Sequence, residues 1–226
     1  MKAMILAAGL GKRMRPLTDT LPKPLIPVRG KPLIEWHLER LSAAGVSQVL
    51  INIAYLGQKI RDAVGDGSRW GLEVAYSEEP EPLETAGAIH YAASWLGSEP
   101  FLLVNADVYT DIEFEPLLAM TLAERTLGHL VLVPNPEFKA RGDFDLSCDL
   151  VTEAGDSTGF TFAGVSVLKP ELISTYPNAR RVFPLVEVLH WALAQQRLTG
   201  EVFRGRWSDV GTPERLRLLG AGKMLF

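Results

Sequence analysis

A chain of 226 residues, 47% hydrophobic and 22% charged, has the composition of an ordinary soluble protein and the length to bury a core without staples. Its net charge of -4 argues against a general nucleic-acid binder, which carries a broad basic face. The single cysteine, Cys148, excludes an internal disulfide, suits a reducing compartment such as the cytoplasm, and reads as a small apolar filler.

The chain opens on KAMILAAG (residues 2–9), a short apolar run bounded by glycine, which predicts a buried strand. The same stretch is too short for a signal peptide and leads into Lys12, Arg13 and Arg15 rather than a neutral cleavage site. No apolar run approaches the roughly 18 residues of a membrane span. Residues 30–45 predict a helix, with Pro32 in its first turn, Ile34, Leu38 and Leu41 on one face, and Gly45 after its last turn. The next strand is expected at 46–55 and a short helix at 56–67, ending at Gly65. Strand 72–79, helix 83–97, strand 100–107, helix 113–128 and strand 129–136 follow. This alternation implies an α/β fold: a Rossmann-like, mostly parallel sheet with helices on both faces. After about residue 135 the rhythm changes. Residues 143–153 and 160–170 read as consecutive strands, a small antiparallel insertion. A helix at 183–196, a strand near 200–211 and a closing helix begun by Thr212 and Pro213 complete the pattern. The expected organisation is one domain over 1–226, with a nucleotide-binding half (1–135) and a sugar-binding half (136–226).

Ligands of open parallel sheets bind beyond the carboxyl ends of the strands. Here those ends carry AAGLGKR, YSEEPEP, NADVYTD and SDVGT, which could face one cleft. Gly9 and Gly11 lack Cβ and allow backbone amides close to a ligand. A dinucleotide fingerprint would need glycine where Met14 stands, and the Walker pattern is absent. The loop instead adds cations. Arg13 can fork onto phosphate oxygens, and Lys23, fixed between Pro22 and Pro24, can supply a point charge. A solvated surface loop is the plainer reading of the same residues. Asp107 ends a strand and could hold a divalent ion or cap a turn. Asp209 is a second acid before the last helix, and Mg²⁺ commonly takes one or two carboxylates plus phosphate oxygens. Asp111 is a weaker candidate that suits a helix cap better.

Residues 6–45, LAAGLGKRMRPLTDTLPKPLIPVRGKPLIEWHLERLSAAG, resemble the N-terminal signature of the sugar-1-phosphate nucleotidylyltransferases. The resemblance returns at LETAGAI, NADV and WSDVGTPE. It implies attack by a sugar-1-phosphate oxygen on the α-phosphorus of a nucleoside triphosphate, giving a nucleotide sugar and pyrophosphate. By motif position Arg13 would hold the leaving β- and γ-phosphates, Lys23 would neutralise phosphate at the reacting centre, and Asp107 and Asp209 would hold Mg²⁺. Ala8, Gly9 and Gly87 would meet the nucleoside through backbone, with Gly11 and Lys12 near the phosphates. Such a nucleophile is already anionic, so positioning and charge neutralisation suffice. His37, His90, His129 and His190 then read as structural. Glu84, Asn105 and Asp143 are the sugar-side residues the resemblance implies, with Thr161 a weaker one. The chain departs from the family at one place: the Glu-Lys-Pro segment whose lysine grips the sugar phosphate has no counterpart, although Lys139 and Arg141 lie nearby.

Within the family, the short length and the segments EPLETAGAI, ARGDFDL and FTFAGVSVL look most like members that join UTP to N-acetylmuramic acid α-1-phosphate (MurNAc-1-phosphate) in cell-wall recycling. Mannose-1-phosphate guanylyltransferase and glucose-1-phosphate thymidylyltransferase are the alternatives. A non-catalytic nucleotide-sugar sensor would be expected to lose a metal acid or a loop cation, and an RNA-binding module fits poorly with acidic strand ends. The chain stops soon after the DVGTPE helix, which implies no appended acyltransferase domain. The expected partners are small molecules, without nucleic acid or membrane, in a monomer or small homo-oligomer.

Overall fold

Three consecutive residues of β1 (Lys2–Leu6), Ala3, Met4 and Ile5, have no exposed surface. Burial on both faces is what a strand inside a covered parallel sheet requires. In the computed structural model, which describes residues 1–155 and 159–222, the alternation of side chains sends Ala3 and Ile5 to one layer and Met4 to the other. The first layer is closed by α1 (Leu33–Ala43) and α2 (Gly57–Val64) through Ile34, Leu38, Leu41, Ile60 and Val64. The second is closed by α3 (Glu84–Tyr91), with α4 (Ala93–Leu96) continuing it, and by later helices.

Two short strands, β2 (Pro27–Val28) and β3 (Lys31–Pro32), precede α1; β4 (Gln48–Ile53), β5 (Glu73–Glu78) and β6 (Phe101–Asn105) follow as parallel neighbours of the β1 region. β7 (Val108–Thr110), α5 (Glu115–Ala119) and β8 (Gly128–Pro134) come next. The second half holds β9 (Phe144–Ser147), β10 (Leu150–Glu153), β11 (Phe160–Leu168), α6 (Glu171–Ser174), α7 (Leu185–Ala194), β12 (Leu198–Val202), β13 (Trp207–Asp209) and α8 (Pro213–Gly220). Leu185, Val188 and Leu189 of α7 complete the second layer. The main sheet runs β5-β4-β1-β6-β11-β8-β12-β10-β9. Among its described strands, β11 and β10 run against the rest. The Rossmann-like α/β architecture is therefore present, as a mixed sheet.

Five details differ from the sequence reading. β11 is not part of a peripheral insertion; it sits between β6 and β8, and only the β9–β10 hairpin is an edge addition. The helix expected over 113–128 is cut to α5, because Leu117, Leu122 and Leu127 recur every five residues, and no helix keeps such a set on one face. The strand near 200–211 divides: β12 joins the main sheet, and β13 leaves it to pair with β7. Asp111 holds that break by accepting from the Arg206 N–H at 2.6 Å, so it caps no helix. Cys148, finally, is an exposed residue at φ +56° in the two-residue β9–β10 turn, not an apolar filler.

Candidate active site

All four strand ends meet. Ala7, Gly9 and Arg13 from the first, Glu79 and Pro82 from the second, Asn105 and Asp107 from the third and Gly211 from the fourth line one cavity of about 330 Å³. A second cavity of about 340 Å³ adjoins it, and Thr85, Asn105 and Asp107 line both. The second is walled by apolar residues such as Phe138, Pro184 and Val186, with Lys139, Asp143, Thr161 and Asp209 among its polar groups.

The opening loop is shaped by local needs. Gly11 adopts φ +60°, and a Cβ there would lie 2.8 Å from Thr18 Cγ2. The Thr18 hydroxyl donates to the Gly11 carbonyl at 2.8 Å. Gly9 faces open space, leaving Ala8, Gly9 and Lys12 on the cavity wall. Met14, standing where the dinucleotide fingerprint needs glycine, is fully buried against Ile26, Leu33 and Val210 and anchors the turn from which exposed Arg13 projects. Pro22 and Pro24 frame a single 3₁₀ turn at Lys23. They hold its side chain, 12% exposed, with Nζ 2.5 Å from Asp107 Oδ2.

β7 and β13 bring the two acids together. Asp209 pairs in register with Val108, and the Val210 N–H donates to the Asp107 carbonyl at 2.8 Å. Each carboxylate has a cationic partner: Lys23 for Asp107, and Arg215 for Asp209, whose two oxygens accept from Nη1 at 2.7 and 2.6 Å. No cage of three or more His, Cys, Asp or Glu side chains gathers among the described residues. Two carboxylates open to a cleft are the number Mg²⁺ uses when phosphate and water complete its shell, so the residues present fit that ion.

Asn105 owes its place to a bulge. The β11–β8 register shifts between Phe162 and Ser166, and Gly164, at φ +74°, makes room for Asn105; a Cβ there would lie 2.8 Å from Asn105 Nδ2. Asp143 accepts from Lys139 Nζ at 2.6 Å and from the Phe162 N–H at 2.9 Å. Glu84 lines the first cavity, not the second, and starts α3 at φ +60°, a costly conformation for glutamate. Gly87 lines neither cavity. Its N–H donates to the Phe183 carbonyl at 3.1 Å, and a Cβ would lie 2.5 Å from the Arg181 carbonyl oxygen, so it lets α3 pack against the segment leading into α7. Arg141 points away, donating to the Gly155 carbonyl at 3.4 Å.

The sequence reading missed a buried brace under the loop. Asn52 Oδ1 accepts from the Ala7 N–H at 2.7 Å, Asn52 Nδ2 donates to Glu79 Oε1 at 2.7 Å, and Glu79 Oε2 accepts from the Leu83 N–H at 2.9 Å. Burial pushes the Glu79 carboxyl up from its ordinary value, against the bonds from Asn52 and Leu83. Asn52 is the one polar residue in VLINIAY, and that is the signal that could have found it. The histidines stand apart from the cavities' linings. Burial lowers both His37, to about 4, and His129. His90 and His190 pack on Phe183 and Phe144.

The model of the nucleotidyl transferase family matches residues 2–142. The chain belongs to that family. This nucleotidyltransferase is 50% identical to the N-acetylmuramate alpha-1-phosphate uridylyltransferase of Neisseria meningitidis, over 99% of this chain and 100% of the relative. It is 33% identical to the protein of the same name from Caulobacter vibrioides, covering 94% and 92% of the two chains. With the glucose-1-phosphate thymidylyltransferase of Streptomyces griseus it shares 32% identity over 93% of its length, spanning 62% of that longer protein. Among solved structures, one from Bacillus anthracis superposes with a TM-score of 0.86 at 20% identity, covering 98% of this chain and 94% of that one. At that identity the likeness speaks for the fold alone. No helix among the described residues is long and apolar enough to cross a membrane.

Proposed function

We propose that this enzyme transfers UMP from UTP to N-acetylmuramic acid α-1-phosphate, releasing pyrophosphate and serving the reuse of cell-wall sugar in the cytoplasm. The choice of base and sugar rests on the full-length 50% identity to the Neisseria meningitidis uridylyltransferase. The reaction type is supported by one geometric observation: two cavities of similar size share a wall at Asp107. That arrangement suits two substrates meeting at one phosphorus atom.

In this reading UTP occupies the first cavity. Ala8 and Gly9 give backbone contact to the nucleoside, and Gly11, Lys12 and Arg13 take the β- and γ-phosphates. The acceptor lies in the second, along Asn105 and Asp143, with Glu84 reaching from the neighbouring wall. Residues 1–135 thus serve mainly the nucleotide, and 136–226 mainly the sugar. The apolar side formed by Phe138, Pro184 and Val186 offers a surface to the methyl groups of an N-acetyl, lactyl-bearing sugar. Lys139, on the wall of this cavity, is a cation within the acceptor's half.

A phosphate monoester has a second pKa near 6, so the acceptor arrives as a dianion at pH 7. Its oxygen attacks the α-phosphorus, the bond to the bridging oxygen breaks, and pyrophosphate leaves toward Arg13. No proton need move. Lys23 neutralises charge where it builds up. Asp107 and Asp209 would hold Mg²⁺, which supplies further charge neutralisation at the phosphates. A mixture of UTP, GTP, dTTP and ATP offered with MurNAc-1-phosphate tests the base: UDP-MurNAc should dominate the product masses, and a GDP or dTDP sugar would overturn the assignment.

A further inference from the structure

Arg215 stands in the first turn of α8, where its N–H donates to the Thr212 hydroxyl cap at 3.3 Å. A cation is unfavourable at the positive end of a helix dipole, so its place there calls for an anion. The side chain is 14% exposed. Nη1 donates to both oxygens of Asp209, and the guanidinium carbon lies 3.3 Å from the centre of the Phe138 ring. Gly211 marks how closely the groups converge. A Cβ at that position would lie 2.7 Å from Arg215 Nη1, 2.9 Å from Asp209 Oδ2 and 3.4 Å from Arg13 Nη2. Gly211 lines the first cavity, whereas Phe138 and Asp209 line the second. Arg215 itself lines neither cavity, but these partners hold it directly behind the junction where both substrates would present phosphate.

Within the two ion pairs the charges cancel, and Arg13 beside them adds one positive charge. Asp107 and Asp209 carry two negative charges, and Lys23 and Arg215 carry two positive ones. At Asp209, where both oxygens accept from Arg215, a divalent ion must compete with that guanidinium, whereas Asp107 offers Oδ1 while Lys23 holds Oδ2. The ion also adds positive charge, which an incoming phosphate balances.

We propose that Arg215 is a partner-switching residue: it occupies Asp209 in the free enzyme, yields that carboxylate to the metal, and turns its guanidinium onto a substrate phosphate. This rests on the assignment of Asp107 and Asp209 as the metal carboxylates. The free enzyme then binds metal weakly, and metal and nucleotide bind cooperatively. An arginine suits the exchange because its fork matches carboxylate and phosphate alike.

Mn²⁺ is the probe, titrated into metal-free protein without nucleotide or sugar and followed by the paramagnetic resonance of the free ion. Arg215→Gln should bind Mn²⁺ about tenfold more tightly than wild type, as expected when one charge-assisted bond no longer competes. Arg215→Met keeps the aliphatic stem and serves for the same readout should the Gln variant fail to fold. Arg215→Lys retains a cation and should stay near wild type. In turnover, Arg215→Gln should raise a KM about tenfold, with partial rescue by Lys. A rise for UTP assigns the triphosphate as the new partner, and a rise for the acceptor assigns the sugar phosphate. Unchanged Mn²⁺ affinity in both neutral variants, or unchanged KM for both substrates, overturns the switch. Asp209→Asn in the Arg215→Gln background should abolish the gained affinity; if it does not, the metal assignment itself has failed. A wrong base or sugar appears in the substrate panel and leaves the Mn²⁺ result untouched.

Discussion

Replacing Asn52 by leucine is the sharpest test of how the nucleotide loop is held. Asn52 is 3% exposed and Glu79 5%, so although both border the first cavity, the groups stranded when a partner is lost have little access to water. The substitution strands the Ala7 N–H and removes the Asn52 donor from Glu79. Each abandoned buried group costs about 1–3 kcal/mol, which places the total near 4 kcal/mol. For a chain of this size, where 1 kcal/mol moves Tm by about 2–4 °C, Tm should fall by about 8–16 °C. The deficit should also depend on pH. Burial already raises the Glu79 carboxyl above its ordinary 4.5, and losing Asn52 raises it further. A raised folded-state pKa favours folding below the unfolded value and loses that contribution as pH rises through the folded one. The deficit of Asn52→Leu should therefore widen from pH 4.5 toward pH 8. Differential scanning calorimetry at several pH values reads both effects, and the KM for UTP should rise as the loop loosens. A Tm loss below 2 °C, or one flat with pH, would refute the brace.

Three further outcomes are expected. Lys23→Ala should lower kcat by about 10²–10³-fold, the scale for losing one preorganised charge-stabilising group, with little change in Tm; parallel losses of both would mark a structural lysine. Asp107→Asn should remove most metal-dependent turnover while the fold persists by circular dichroism, and near-full activity would dismiss the metal assignment. His37, pulled by burial from 6.5 to about 4, binds protons more readily unfolded than folded between those values. Its contribution is complete above pH 6.5 and fades as pH falls toward 4, by about 3 kcal/mol. In metal-free protein His37→Leu should flatten that acid decline in urea titrations, and a wild-type slope would contradict the buried neutral imidazole.

The parallel half of the fold was legible because its strands are short apolar runs and its helices end on glycines such as Gly45 and Gly65. The rest was obscured where one segment serves two partners. Residues 200–211 look continuous, yet they feed the main sheet through β12 and the site through β13. β11 reads as an ordinary strand, and nothing local tells that it enters the sheet between β6 and β8. Within the site, loop residues were visible because glycine, proline and cation spacing carries chemistry in one dimension. Asn52, Glu79 and Arg215 were not, since each acts on a group in another element: Asn52 and Glu79 on each other across 27 residues, and Arg215, from a helix whose face the sequence does not orient, on Asp209 of β13. Gly87 shows the converse: a motif glycine whose missing Cβ makes room for the Arg181 carbonyl.

The proposed reaction joins a uridine nucleotide to MurNAc-1-phosphate in the cleft. Pyrophosphate release with UTP and Mg²⁺, measured across MurNAc-1-phosphate, N-acetylglucosamine-1-phosphate, glucose-1-phosphate and mannose-1-phosphate, tests it most directly. MurNAc-1-phosphate should give the highest kcat/KM of the set. Efficient turnover of mannose- or glucose-1-phosphate, with none of MurNAc-1-phosphate, would contradict it.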